Sequence, residues 1–224
     1  MATVRVIDII ERAEDILLDD GVRWPRLELQ NWINEAYTAI ILSRPDASST
    51  SATYTCSEGT RQNVSTAFPG ALRLLDVIRN VSATSLKKVI RLAPRAQLDD
   101  QIPDWHNKPT SVDLQYYVYD PRQPLDFFVY PPATTTAQLE ILYTQIPGTH
   151  ALTESQLDPA NSGTEVILLP DTYMTPIIDW VLYRAYSKDS EHPANEGRAG
   201  AYYQAFTTSL GTKTASDAAV MPRE

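Results

Sequence analysis

Residues 25–45, PRLELQNWINEAYTAIILSRP, decide how the rest of the chain is read. Leu29, Trp32, Ile33, Ala36, Tyr37, Ile40 and Ile41 recur at three- and four-residue spacing, which gathers them on one broad face of an α-helix. Pro25 suits the first turn, because proline lacks the amide hydrogen that goes unpaired there. Pro45 stops the helix near Arg44, since the residue before a proline is pushed out of the helical region. Upstream, Val6, Ile10, Ala13 and Leu17 mark a second amphipathic helix, with Thr3 as its expected cap and Asp19-Asp20-Gly21 as its end. So few residues join the two that 1–44 should form an antiparallel helical hairpin.

Downstream of Pro45 the character changes. Prolines become frequent, and short alternating or β-branched runs appear at 52–57, 63–67, 72–81, 86–92, 112–119, 125–130 and 138–146. Residues 120–124 and 131–136 have the composition of hairpin connections, and 95–100 reads as one short helix. The expectation is an antiparallel sheet or small sandwich of about six strands over 45–169. Helical spacing returns at Pro170. Asp171 is placed to cap, Met174, Ile177, Ile178, Val181 and Ala185 form a stripe, and residues 189–193 make a polar break. A last helix follows with Ala199, Tyr202 or Tyr203, Phe206 and Leu210, and Gly211 as its expected stop. Neither helical pair can bury its stripe alone. The economical fold is α+β: residues 1–44 and 170–211 build one four-helix body, and 45–169 is an antiparallel β domain inserted in it.

The chain has 224 residues and a mass of 25.0 kDa, with 19 basic and 28 acidic side chains and a net charge of −9. That balance argues against sequence-reading nucleic-acid binding, which wants a basic surface. No apolar run approaches the ~18 residues of a membrane span, and the charged N-terminus does not suit a signal peptide. Cys56 is the sole cysteine, which excludes an internal disulfide and a cysteine-based zinc site and fits a reducing cytoplasm.

Catalytic patterns are missing. There is no glycine-rich phosphate loop, no Gly-x-Ser-x-Gly elbow and no His-Glu-x-x-His helix. His106, His150 and His192 lie far apart beside loop residues and read as exposed loop histidines. Asp99, Asp100 and Asp104 lack calcium-loop spacing and read as a turn cluster. Cys56 reads as an inert buried thiol. No catalytic residue, metal ligand or cofactor is expected. Two surface features remain. Tyr116, Tyr117, Tyr119, Tyr130 and Tyr143 fall on neighbouring strands, as sheet packing or as an interface. Arg73, Arg79, Lys87, Lys88, Arg91 and Arg95 face only Asp76 within 73–95, although the chain as a whole is acidic. Such a run is either a strand edge guarded against aggregation or one half of an electrostatic seam between identical subunits in a ring.

Three stretches carry a resemblance. The run 169–173 (LPDTY), then 179–191 (DWVLYRAYSKDSE), continues through Asn195, Arg198, Ala199, Tyr202, Tyr203 and Phe206. In the middle are Tyr117-Val118-Tyr119-Asp120, Phe128-Val129-Tyr130-Pro131-Pro132, Leu139-Glu140-Ile141-Leu142-Tyr143 and Pro147, and near the start Trp24-Pro25. Together they resemble the head-to-tail adaptors of short-tailed bacteriophages, the connector or gatekeeper group of the tail tubular protein A type. The resemblance implies a non-enzymatic neck protein of the virion, assembled in the bacterial cytoplasm. It implies a homo-oligomeric ring, a dodecamer, that binds the portal protein above and a tail tube or nozzle protein below. DNA would pass through its lumen without sequence-specific binding, and no membrane is involved. It also implies that 212–224 is an extended arm reaching the portal, with Thr212 and Lys213 at its root and Val220, Met221 and Pro222 as its anchor. The competing readings are a tail-associated β module that binds glycans or proteins through its tyrosines, and a small hydrolase, for which no catalytic set is present.

Overall fold

The computed structural model of the chain describes residues 2–19, 21–82, 84, 86–158, 163–189 and 193–220, with the side chains of 193 and 213–220 outside that description. It divides into a helical unit, Met1–Ala47 with Pro147–Glu224, and a β unit, Ser48–Ile146.

In the helical unit, α1 (Val6–Leu17) and α2 (Arg26–Ser43) form the N-terminal pair, and α5 (Met174–Lys188) and α6 (Pro193–Val220) form the C-terminal pair. Val6, Ile10 and Ala13 of α1, Trp32, Ile33, Ala36 and Ile40 of α2, Ile177, Ile178 and Val181 of α5, and Phe206 and Leu210 of α6 meet in one core. The stripes read from the sequence therefore close on one another, as the α+β reading requires. Polar ties reinforce the faces: Arg26 grips the Glu14 carboxylate with two hydrogen bonds of 2.7 and 2.8 Å, and Lys188 reaches Glu28 at 2.6 Å.

Several local expectations are corrected. Arg5, not Thr3, is the cap residue of α1, its backbone amide donating to the Asp8 carboxylate at 3.0 Å, while Thr3 donates its hydroxyl and amide to the Asp171 carboxylate at 2.6 and 2.8 Å. Asp171 thus fastens the N-terminal strand instead of capping its own helix, which begins after a 3₁₀ turn at Asp171–Tyr173. α1 ends not at the Asp-Asp-Gly run but on Leu18, an L-residue held in the left-handed region at φ 54°. Residues 147–169, read as the end of the β domain, belong to the helical unit. The Val6 amide donates to the Glu165 carbonyl and the Ile167 amide to the Val4 carbonyl, both at 2.9 Å, and Leu157, Ile167 and Leu169 enter the helical core.

Gly211 does not end the last helix, which runs on through 212–220 to Val220. The expected extended arm is therefore helical over its described residues. A helix-stopping glycine works through a positive φ, and the positive-φ glycines here are Gly21, Gly59 and Gly70. A glycine inside a helix costs only about 1 kcal/mol relative to alanine.

The β unit has two sheets. β1 (Ser49–Thr55), β7 (Gln138–Gln145) and β3 (Ala71–Asn80) form one, in the order β1-β7-β3. The other runs β2 (Gly59–Asn63), β6 (Asp126–Ala133), β5 (Tyr116–Tyr119) and β4 (Arg91–Leu92). Tyr54, Leu74, Val77, Leu139 and Ile141 from the first sheet share a core with Phe127 and Val129 from the second. This is the small sandwich, and all its pairings are antiparallel except that β4 runs parallel to β5. A parallel neighbour needs a long crossover. The crossover carries α4 (Arg95–Gln101), where the short helix was expected, and it seats Leu98 and Trp105 against Val118. Two expected strands dissolve for local reasons. Asn63 caps a single-turn helix, α3 (Val64–Ala67), by accepting the Ser65 amide at 2.9 Å. Residues 86–92 are interrupted by Lys87 at φ 52° and keep only a bridge at Val89 and the two residues of β4.

Candidate interaction surfaces

The basic run is carried by β3 (Arg73, Arg79), the turn after it (Lys87, Lys88), β4 (Arg91) and the start of α4 (Arg95). Arg73, Arg79, Lys87, Lys88, Arg91 and Arg95 are all exposed. Within the β unit Arg79 meets Glu140 at 2.5 Å and Arg95 meets Asp99 at 3.3 Å. Three aliphatic side chains, Leu86, Val89 and Leu92, stand exposed among these cations. Beneath Val89 lies a groove of about 490 Å³, lined by Lys88, Arg91, Asp113, Leu114 and Tyr116. Asn80, fully buried, fixes both walls. Its side-chain amide donates to the Lys88 and Leu114 carbonyls at 3.0 and 2.8 Å, and its oxygen accepts the Leu114 amide at 2.9 Å. No local pattern singles out Asn80, since a strand-end asparagine usually faces water.

A larger cleft, of about 770 Å³, opens between α4 and the β5–β6 turn. Its three arginines are each satisfied by a carboxylate. Arg61 binds Asp126 at 2.9 Å, Arg122 binds Asp120 at 2.7 Å, and Arg95 binds Asp99. The Arg122 guanidinium holds Asp120 down to about 2. A cleft whose charges cancel internally has little left for an anionic substrate.

The tyrosines serve mainly as packing. Tyr117 and Tyr143 are buried, and the Tyr117 hydroxyl donates to Asp76 at 2.8 Å. Tyr116 and Tyr130 stack on each other at 6.4 Å between ring centres. Cys56 is buried, and burial pushes its thiol up to about 12, which makes it unreactive at neutral pH. Asp99 accepts the Trp105 indole at 2.9 Å and Asp104 holds Lys108 at 2.8 Å, so both are structural. No cluster of metal-ligating side chains occurs among the described residues.

His150 corrects its expectation: it is 3% exposed. Its Nε2 lies 2.8 Å from the Tyr37 hydroxyl, its Nδ1 meets Glu165, and its backbone exchanges two hydrogen bonds with Asn34. The arrangement clamps the 147–169 segment onto α2. Burial raises the Tyr37 phenol well above its usual value, so it stays a neutral donor and acceptor. His106 is exposed as expected and stacks on Trp105. His192 lies outside the described residues.

At the C-terminus, α6 spans 28 residues against 15 for α5, about 42 Å against about 22 Å. Its last buried described side chain is Leu210. Thr212 is helical and donates its hydroxyl to the Thr208 carbonyl at 3.0 Å; Lys213 and Val220 are on the same helix, and Met221 and Pro222 lie outside the described residues.

The sequence profile of the SU10 adaptor proteins matches residues 4–223. The chain belongs to the SU10 adaptor protein family. It is a phage head-to-tail adaptor, a structural component of the virion. No curated protein matches the chain. As an SU10 adaptor it has the architecture its ends foreshadow: N- and C-terminal helices packed together in one unit, with the β unit inserted between them in the sequence. No described helix of this adaptor is long and apolar enough to cross a membrane.

Proposed function

We propose that this adaptor is the repeating subunit of a neck ring, a dodecamer, which joins the portal protein to a tail tube or nozzle protein and surrounds the exit path of the genome. The observation that carries the reading is the family match across residues 4–223, on a chain whose clefts hold no assembled catalytic set among the described residues. An acidic chain of net charge −9 favours a conduit from which DNA is repelled over a clamp that grips it. The basic run from Arg73 to Arg95 supplies one side of the subunit seam. The C-terminal segment from Thr212 onward supplies the portal contact, and its root is a helix that continues past Leu210, the last buried side chain among those described.

Electron microscopy of the chain mixed with the portal protein of its own phage tests this. The expected image is a twelvefold ring continuous with the portal. The chain truncated after Gly211 should keep its melting temperature and lose portal attachment. Full attachment by the truncated chain would remove the docking role, and a portal without added density would remove the ring reading itself.

A further inference from the structure

Two surfaces of this chain carry opposite charge and matching apolar content. At the turn between α1 and α2, Leu18 is 92% and Val22 87% exposed, the most exposed large apolar side chains described in the helical unit. Around them Glu11, Asp15 and Asp19 face Arg12 and Arg23; Glu14 is buried on Arg26, and Arg23 is already paired with Asp189. Leu18 also occupies the left-handed region at φ 54°, a position where glycine or asparagine normally ends a helix. A leucine placed there is strained and projects into water, which nothing in the fold of a single copy explains.

In the β unit, Leu86, Val89 and Leu92 are the most exposed aliphatic side chains described, at 67, 62 and 61%. They lie in the sequence among Lys87, Lys88, Arg91 and Arg95, and Val89 lines the groove of about 490 Å³ whose walls Asn80 fixes. The groove is large enough for a leucine side chain, and Leu114 and Tyr116 give it an apolar lining. Asp113 also lines it, its carboxylate accepting the Leu86 amide at 2.8 Å, and the two cations Lys88 and Arg91 outweigh its one negative charge.

We propose that Leu18 of one copy seats in the Val89–Tyr116 groove of the next, bringing the acidic α1–α2 turn of each subunit onto the basic ridge of its neighbour. This rests on the reading of the chain as a self-assembling ring subunit, and it names both halves of the seam. The two surfaces lie at different places on the molecule, so the contact is heterologous and propagates around a closed ring. Opposite charges orient the encounter, and the leucine in its groove supplies the desolvated anchor. Nucleic acid fits the ridge less well, because three exposed aliphatic side chains interrupt its cations.

Two variants test the pairing. Leu18→Gly removes the knob while relieving the left-handed backbone. Lys88→Glu with Arg91→Glu reverses the ridge. In sedimentation velocity the full chain should self-associate, more weakly as salt rises. Each variant alone should associate at least about tenfold more weakly and melt no lower than the parent. Mixed together, they should form a one-to-one complex and nothing larger, because each retains the half the other lacks. A full chain that stays monomeric to about 1 mM overturns the proposal. So do variants that assemble like the parent, a mixture that does not pair, or a ridge whose reversal abolishes binding to a short DNA duplex. Rings seen on the portal together with a mixture that fails to pair would leave the ring reading standing and this contact refuted.

Discussion

Replacing Asn80 should unfasten the groove from inside. The side chain is 0% exposed and makes three hydrogen bonds to backbone groups of Lys88 and Leu114. In Asn80→Ala the Lys88 carbonyl keeps the Asn80 backbone amide at 2.9 Å. The Leu114 amide and carbonyl are both stranded in a buried site. Each orphaned buried group costs about 1–3 kcal/mol, so the β unit should lose roughly 2–6 kcal/mol. For a unit of this size that lowers Tm by roughly 10–30 °C. Differential scanning calorimetry reads it directly. Asn80→Asp adds a second, sharper signature. Its carboxylate faces two carbonyl oxygens, so its folded pKa rises above the unfolded value of about 3.9. The folded state then holds the proton more tightly, and the penalty is relieved in acid and grows as pH rises through that range. The Tm deficit of Asn80→Asp should widen between about pH 4 and 7, while that of Asn80→Ala stays flat. A loss below about 1 kcal/mol in Asn80→Ala, or parallel pH profiles for the two variants, would refute the assignment of Asn80 as the brace.

Trp32→Ala should cost the helical unit roughly 3–5 kcal/mol, measured by urea denaturation, because Trp32 is a shared wall of all four helices' core. Tyr37→Phe leaves His150 Nε2 and the Leu168 amide without the hydroxyl and should cost about 1–3 kcal/mol, with most of that loss absent in a His150→Gln background. Asp171 is held below its usual 3.8 by the Thr3 hydroxyl and amide. The unfolded chain therefore takes up that proton first, and stability that is present above about pH 4 is lost as pH falls through the folded value. Asp171→Asn should flatten that acid limb of the urea midpoint.

The helical body was legible because its information is periodic. Trp32, Ile33, Ala36 and Ile40 repeat at helical spacing whatever they pack against, and so do Ile177, Ile178 and Val181. Strand 138–145 was legible for the same reason, since its buried positions alternate, whereas in 71–80 bulges space the buried residues by three. What escaped was set by single long-range hydrogen bonds. Asn34 and Tyr37 hold His150 in place from 116 and 113 positions away, and no local pattern announces partners that distant. Thr3 and Asp171 each looked like a cap for its own helix, yet they satisfy one another. Gly211 has the composition of a stop, but stopping requires a left-handed backbone, and that is decided by the turn that follows. At the candidate seam the cations were visible in the sequence. The groove was not, because it is built by Asn80 and Leu114 from opposite ends of a crossover, and its apolar counterpart at Leu18 depends on a backbone angle.

The bridge between Arg5 and Val166, flanked by the Val6–Glu165 and Ile167–Val4 hydrogen bonds, ties an early part of the chain to one made long after it. At about 5–20 residues per second, roughly 6–25 s separate the emergence of Arg44 from that of Asp171. Within that interval the β unit, which is contiguous in sequence, can finish folding. The apolar stripe around Trp32 and Ile40 meanwhile stays open to the cytoplasm. Synthesis thus reverses the usual N-to-C order of domain completion. The nascent helical hairpin becomes a natural client for a holdase chaperone until the C-terminal helices arrive to cover it.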